Sequence, residues 1–145
     1  MTASRRAQRR FVLDANALIS LLENRLGAAE RVRKLIEDAS RNESPVLLSA
    51  VNWGEVFYIA WRLHGEERAR EAEAKLRQLP IAVVPADIER ATRAAALKQS
   101  HNLGYADAFA AELALERRAW LVTADPEFSK LGKTISVYSL PHHTG

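Results

Sequence analysis

Short apolar runs alternate along the chain with segments in which apolar residues recur at helical spacing. The runs are continuous rather than alternating with polar residues, which is typical of strands that are covered on both faces. The predicted strands cover residues 11–14, 45–48, 81–84, 119–123 and 134–138. This order of elements predicts an α/β domain with a central, mostly parallel sheet of about five strands.

The segments between the predicted strands favour six helices, because their apolar residues recur three and four positions apart. Ser49 can cap the third helix, Gly65 lies just beyond that helix, and Pro80 follows the fourth. The predicted helices cover residues 15–23, 28–40, 50–63, 66–79, 87–102 and 105–117.

The third predicted helix is apolar on two sides. Trp53, Phe57 and Trp61 are four residues apart and share one face, whereas Glu55 lies on nearly the opposite face. One side can pack on the sheet, so the other needs a cover. Either a neighbouring helix of the same domain covers the aromatic face, or this face binds a second copy or a partner protein.

The composition narrows the classes of protein and of site. The chain has 145 residues, the usual size of one domain, and no cysteine, which excludes disulfides, thiolate catalysis and zinc-thiolate sites. We expect no signal peptide and no membrane span, and a cytoplasmic location is compatible with the lack of cysteine. No histidine pair has ligand spacing, and His142 and His143 are expected to be solvated.

The positive charge is concentrated before the first strand. The net charge is +3, and four arginines alone supply +4, which leaves +3 − 4 = −1 for the remainder; they are Arg5, Arg6, Arg9 and Arg10. The arm is either a solvated terminus or a segment that contacts phosphates. The predicted organisation is therefore a basic arm at 1–10, a domain at 11–140 and a tail at 141–145.

Four acidic residues interrupt apolar or small-residue segments, namely Asp14, Glu55, Asp107 and Asp125. Burial of an ionised carboxylate costs several kcal/mol unless it is paired or bound to a metal. Two of the four lie at or just beyond the ends of predicted strands and two lie near the starts of helices, so all four can meet at the carboxyl ends of the strands. Converging carboxylates repel one another, so a cation is expected between them. Because all the ligands would be oxygen atoms, they favour Mg²⁺ or Mn²⁺ at this edge.

Three of these residues also have a purely structural interpretation. Asp14 could cap the first helix, Asp125 could cap a turn that begins with Pro126, and Asp107 could complement the dipole of its helix. Capping does not explain Glu55, and its structural alternative is a distant salt bridge to Arg62, two turns away in the same helix. Glu55 is therefore the most diagnostic of the four.

Taken in order, the four acidic segments resemble the motifs of PIN-domain ribonucleases. The matching segments are Val12-Leu13-Asp14-Ala15-Asn16-Ala17-Leu18, Gly54-Glu55-Val56, Tyr105-Ala106-Asp107-Ala108 and Val122-Thr123-Ala124-Asp125-Pro126-Glu127-Phe128. The resemblance extends from residue 11 to about residue 138. Length and motif order are most similar to those of the VapC-type toxins of type II toxin-antitoxin systems. The resemblance implies a three-layer α/β/α domain.

The same resemblance implies a Mg²⁺- or Mn²⁺-dependent endoribonuclease that forms a homodimer and is held inactive by a small cognate antitoxin. It also implies that the four acidic residues are catalytic and bind the metal, directly or through water. Asn16 and Thr123 flank the strand-end aspartates and would support the site by hydrogen bonds to ligands or water.

Two other functions remain open from the sequence. An aspartyl-nucleophile phosphatase also has an aspartate at the end of its first strand, but its chemistry usually needs a second aspartate two residues later, where this chain has Asn16. The other alternative is a PIN-like interaction module that binds protein or RNA without cutting, and the intact set of four acidic residues argues against it.

Overall fold

The computed structural model describes residues 9–141. Arg5 and Arg6 of the predicted arm, and His142 and His143 of the predicted tail, lie outside the described residues.

A five-stranded sheet forms the centre of the domain, and every strand pair in it is parallel. The strand order is β3-β2-β1-β4-β5. The strands are β1 (Phe11–Leu13), β2 (Val46–Ser49), β3 (Ile81–Val84), β4 (Trp120–Thr123) and β5 (Val137–Ser139). β1 lies between β2 and β4, so the order of the strands reverses at β1, where open parallel sheets form a crevice beyond the strand ends.

Helices cover the sheet, and the predicted α/β fold is confirmed. They are α1 (Ala15–Leu22), α2 (Ala28–Arg41), α3 (Ala50–His64), α4 (Glu66–Arg77), α5 (Ile88–His101) and α6 (Tyr105–Arg117). Successive strand residues belong to separate apolar clusters: Leu13 packs with α1 and α2, whereas Val12 packs with α5 and α6. Since neighbouring side chains of a strand point to opposite faces, the two clusters form the two interfaces of a three-layer domain.

The last strand starts later than the sequence indicates. Residues 134 and 135 were predicted to open it, but the N–H groups of Thr134 and Ile135 bond to the carbonyl of Leu131 and complete a turn. That turn follows a short 3₁₀ helix, Pro126–Leu131, which the apolar pattern does not predict. Ile135 is still buried, so its apolar character reflects packing of the turn against the core rather than a strand.

α4 packs against the aromatic face of α3. Trp53 and Phe57 line a contact with Ala69, Ala72 and Leu76 of α4. A neighbouring helix of the same domain therefore covers these two aromatic residues in part. Arginines of α4 complete the cover through cation–π contacts, with Arg77 5.5 Å from the Trp53 ring and Arg70 5.9 Å from the rings of Phe57 and Trp61. Trp61 remains 42% exposed.

Along residues 9–141, no helix has both the length and the apolar character needed to cross a membrane.

Candidate metal centre

Asp14 is both a helix cap and a buried acid. It follows β1 directly, and its Oδ1 accepts a hydrogen bond of 2.8 Å from the N–H of Ala17, which caps α1. Only 2% of the residue is exposed. The capping interpretation is therefore correct as geometry, but it leaves the second carboxylate oxygen of a buried acid available for other interactions.

Thr123 connects the two strand-end aspartates. A hydrogen bond from the Thr123 side chain lowers the pKa of Asp14, which directly follows the neighbouring strand β1, and Thr123 Oγ1 accepts a hydrogen bond of 2.9 Å from the N–H of Asp125. Asp125 in turn caps the 3₁₀ helix, because its Oδ1 accepts from the N–H of Glu127 at 2.9 Å. One buried hydroxyl thus holds the ends of β1 and β4 together at the crevice.

Glu55 is held by an amide that the sequence interpretation overlooked. Asn52, one helical turn earlier on α3, is fully buried. Its Nδ2 donates to Glu55 Oε1 at 3.4 Å and to the carbonyl oxygen of Ala106 at 3.1 Å. Asn52 therefore fastens α3 to the first turn of α6, beside Asp107. Its position three residues before Glu55 in an apolar stretch was the available signal.

Asp107 lies in the first turn of α6, and the preceding loop makes room for it. A Cβ atom on Gly104 would come within 3.2 Å of Asp107 Oδ2, which is tighter than an ordinary van der Waals contact. Glycine at this position lets the backbone approach the carboxylate closely. The carboxylate is partly buried, as are those of Glu55 and Asp125.

The pKa values of Asp14 and Asp107 are raised in part by the other acids. Burial is the main cause that raises the pKa of Asp14 to about 7, and repulsion from Asp107 and Asp125 adds to it. Hydrogen bonds from Thr123 and Ala17 act in the opposite direction.

Asp107 is the member that interacts with all the others. Burial raises its pKa to about 6, and repulsion from Glu55, Asp125 and Glu127 contributes, whereas Lys130 lowers it. The pKa of Glu55 is also raised, mainly by burial. Because these carboxylates repel one another in the folded protein, a cation bound between them would stabilise the folded state.

The donor chemistry fits a divalent cation, although the side chains need to close around it. The donors are all oxygens, as Mg²⁺ and Mn²⁺ prefer, and the buried Oδ1 of Asn16 has no hydrogen-bond partner within the described part of the chain. Between residues 9 and 141, no three acidic or histidine side chains are already grouped to hold a metal ion. Glu55, Asp107 and Asp125 are partly exposed, so a bound cation would have to draw their carboxylates closer together.

The structure thus brings together the four predicted acids, with Thr123 between two of them and Asn16 on the adjoining helix. It also adds three residues that the sequence interpretation missed, namely Asn52, Glu127 and Lys130. Glu127 lies two residues after Asp125, and this spacing could have indicated it. The aromatic residues of α3 belong to the separate contact with α4 and not to this centre.

Comparison with solved structures finds the same fold in toxin-antitoxin proteins. A toxin-antitoxin complex from Klebsiella pneumoniae is 24% identical, with a TM-score of 0.63 over 88% of this chain and 95% of that one. A DNA-bound VapBC from Salmonella typhimurium is 19% identical, with a TM-score of 0.68 over 91% and 98%. VapC20 from Mycobacterium tuberculosis, described as a toxin that cleaves the sarcin-ricin loop, is 17% identical, with a TM-score of 0.67 over 84% and 95%.

Sequence comparisons give one match to a family and none to an individual protein. No curated protein matches the chain. The model of the PIN domain family matches residues 11–134, which include all four acids of the candidate centre. With the parallel five-stranded sheet and the acidic residues beyond its strand ends, this match shows that the chain belongs to the PIN domain family.

Proposed function

We propose that the protein is a metal-dependent endoribonuclease that hydrolyses RNA phosphodiester bonds in the cytoplasm as the toxin of a toxin-antitoxin pair. The observation that carries the proposal is the mutual repulsion of Asp14, Glu55, Asp107 and Asp125 at one edge of a PIN domain. PIN domains generally use divalent metal ions, and such ions are the usual means by which an enzyme tolerates several carboxylates in one place.

The four acids would hold Mg²⁺ or Mn²⁺, directly or through water. When bound, the metal lowers the pKa of a water molecule and stabilises negative charge on the oxygens of a phosphodiester. Asp14 supplies the most buried carboxylate, and Thr123 fixes its orientation. Asn52 keeps Glu55 on α3 facing α6, where Asp107 lies. The chain itself needs no covalent nucleophile for this chemistry.

The test is cleavage of structured RNAs by the purified protein with Mg²⁺, with Mn²⁺ or with EDTA. We expect cleavage only with metal, and its loss in Asp107→Asn. Asp87→Asn is the matched control, because Asp87 is an exposed helix cap whose Oδ1 accepts from the N–H of Arg90, and asparagine caps equally well. Cleavage in EDTA, or full activity of Asp107→Asn, contradicts the mechanism.

The two alternative functions, a phosphatase and a non-catalytic interaction module, predict different results with the same purified protein. An aspartyl-nucleophile phosphatase would form a covalent adduct on Asp14 with a phosphate mimic, which we do not expect because Asn16 occupies the place of the second aspartate. A non-catalytic interaction module would bind no divalent cation in a calorimetric titration.

We propose a small cognate antitoxin as the protein partner, and a homodimer as the assembly. Several similar folds come from toxin-antitoxin complexes. Trp53, Phe57 and Trp61 were predicted as the contact surface. Since α4 covers much of the first two, Trp61 offers the most accessible part of that surface, and Tyr58, three residues earlier on α3, is also exposed.

Trp61→Ala is expected to lower the solution mass towards that of a monomer or to weaken antitoxin binding at least about tenfold, because exposed aromatic residues dominate interface energies. The measurements are light scattering of the protein alone and affinity for the product of a short neighbouring reading frame. Leu115→Ala is the control, since Leu115 is 44% exposed on α6, close to the 42% of Trp61. If both quantities stay unchanged in Trp61→Ala, the predicted surface is wrong.

A further inference from the structure

Lys130 places a positive charge beside the acidic centre. It lies on the 3₁₀ helix that Asp125 caps. Its Nζ donates to the carbonyl oxygen of Asn102 at 3.1 Å and to Glu127 Oε2 at 3.2 Å. Asn102 belongs to the same short loop as Gly104, which lies against Asp107 Oδ2. The ammonium is therefore held by the loop that leads into the helix of Asp107.

The charge of Lys130 acts on the centre itself. Burial raises the pKa of Asp107 and three carboxylates add to the rise, whereas Lys130 opposes it. A divalent cation that approaches Asp107 would meet the repulsion of this ammonium, so the lysine and the metal compete for the same negative charge.

Lys130 can turn away from its present partners. An ammonium has three N–H donors, its stem is flexible, and the side chain is 36% exposed. Both present bonds are made at the surface, to a backbone carbonyl and to an exposed glutamate, so neither costs much to exchange for another oxygen acceptor.

Under the proposed function, a cation at this position would favour the binding of RNA. A strand that enters the crevice brings phosphates towards five carboxylates, since Glu127 adds to the other four, and like charges repel. A cation next to these carboxylates but mobile enough to reach outward can offset that repulsion at the phosphate nearest to the centre.

We propose that Lys130 is a substrate-binding residue that moves from Glu127 and the 102–104 loop to a backbone phosphate of RNA when metal and RNA bind. The proposal rests on the proposed function and adds a residue to it. It assigns Lys130 opposite effects on the two ligands: it disfavours the metal and favours the RNA.

Lys130→Ala separates these effects. We expect Mn²⁺, titrated calorimetrically without RNA, to bind about threefold more tightly. A labelled single-stranded RNA, measured by fluorescence anisotropy with Ca²⁺ in place of Mg²⁺, should bind about tenfold more weakly at low salt. The slope of log K against log salt should become shallower by about 0.7, as expected for one lost phosphate contact with a single strand. Lys130→Arg should keep the wild-type slope.

Two lysines serve as controls. Lys98 fastens the same loop through the carbonyl oxygen of Leu103 at 2.9 Å, so Lys98→Ala loosens the loop and leaves the charge of Lys130 in place. Lys133 is an exposed lysine close by in sequence. Neither Lys98→Ala nor Lys133→Ala should tighten Mn²⁺ binding.

The outcomes are distinguishable from a failure of the proposed function. If wild-type protein cleaves no RNA, the proposed function is contradicted. If wild-type protein cleaves RNA but Lys130→Ala keeps the wild-type affinity and salt slope, only the role of Lys130 is overturned. It is also overturned if Lys130→Ala weakens Mn²⁺ binding, since the lysine would then serve only to fasten the loop.

Discussion

Asp14→Asn is expected to reduce RNA cleavage at least about a hundredfold while the protein stays folded. Replacement of residues that only orient metal ligands costs about 10- to 100-fold, and Asp14 would itself be a ligand. Asparagine keeps the side-chain oxygen that caps α1 through the N–H of Ala17. The variant therefore removes the negative charge and keeps the cap, and initial rates in saturating Mg²⁺ measure the effect.

The same variant is expected to be more stable than the wild type in EDTA at pH 8. The pKa of Asp14 rises from 3.8 to about 7 on folding, so the folded state holds this proton more tightly than the unfolded state. The ionisation of Asp14 therefore does not change the free energy of unfolding below pH 4. It lowers that free energy as the pH rises towards 7, and its full cost is reached above pH 7. At 1.36 kcal/mol per pKa unit, the cost of the ionised Asp14 is up to about 4 kcal/mol.

Urea unfolding at pH 5 and pH 8 checks this sign. The gap between Asp14→Asn and wild type should widen with pH in EDTA and close when Mn²⁺ is added, because a ligand that binds only the folded state stabilises it. Asp87→Asn, which changes an exposed cap, should show no such dependence. An equal gap at both pH values would mean that Asp14 is not the buried acid that the structure describes.

Glu112→Gln is expected to destabilise the protein by about 3 kcal/mol without lowering the specific activity of the folded fraction. Glu112 is only 2% exposed on α6, and its carboxylate accepts from Arg93 Nε at 2.8 Å and Arg90 Nη1 at 3.2 Å, both on α5. Glutamine preserves the shape but removes the charge that compensates two guanidinium groups. Urea unfolding at neutral pH gives the loss.

Glu116→Gln is the matched control for that change. Glu116 also pairs with Arg90, at 3.0 Å, but its side chain is 40% exposed, and exposed pairs contribute about 1 kcal/mol or less. Similar losses in the two variants would show that burial does not govern the strength of this ion pair.

The fold could be predicted from the sequence because its strands are buried on both faces. The continuous apolar runs of β1, β2, β3 and β4 can be recognised without knowing which strands pair with one another. β5 was placed too early because Ile135 is apolar for packing in a turn, and apolar character alone does not distinguish a buried turn from a strand.

In the candidate site, the sequence is most informative where an acidic residue interrupts an apolar segment. Asp14 and Glu55 stand out in this way. Lys130 and Glu127 occupy an ordinary polar segment, and their relation to Asp107 depends on how the 3₁₀ helix folds back towards the α5–α6 loop. The buried pairing of Glu112 is hidden for the same reason. The position of a residue on a helix predicts the direction of its side chain, but the neighbouring helix determines whether that side chain is buried.

The position of β1 between β2 and β4 has a consequence during synthesis of the chain. Asp14 and Glu55 are synthesised before Asp107 and Asp125, which come from the last third of the sequence, and β4, the strand that precedes Asp125, pairs directly with β1. A nascent or truncated chain that ends before β4 has neither the pairing nor the complete set of acids. Under the proposed function, the chain could therefore not act on nearby RNA until β4 and Asp125 have been synthesised.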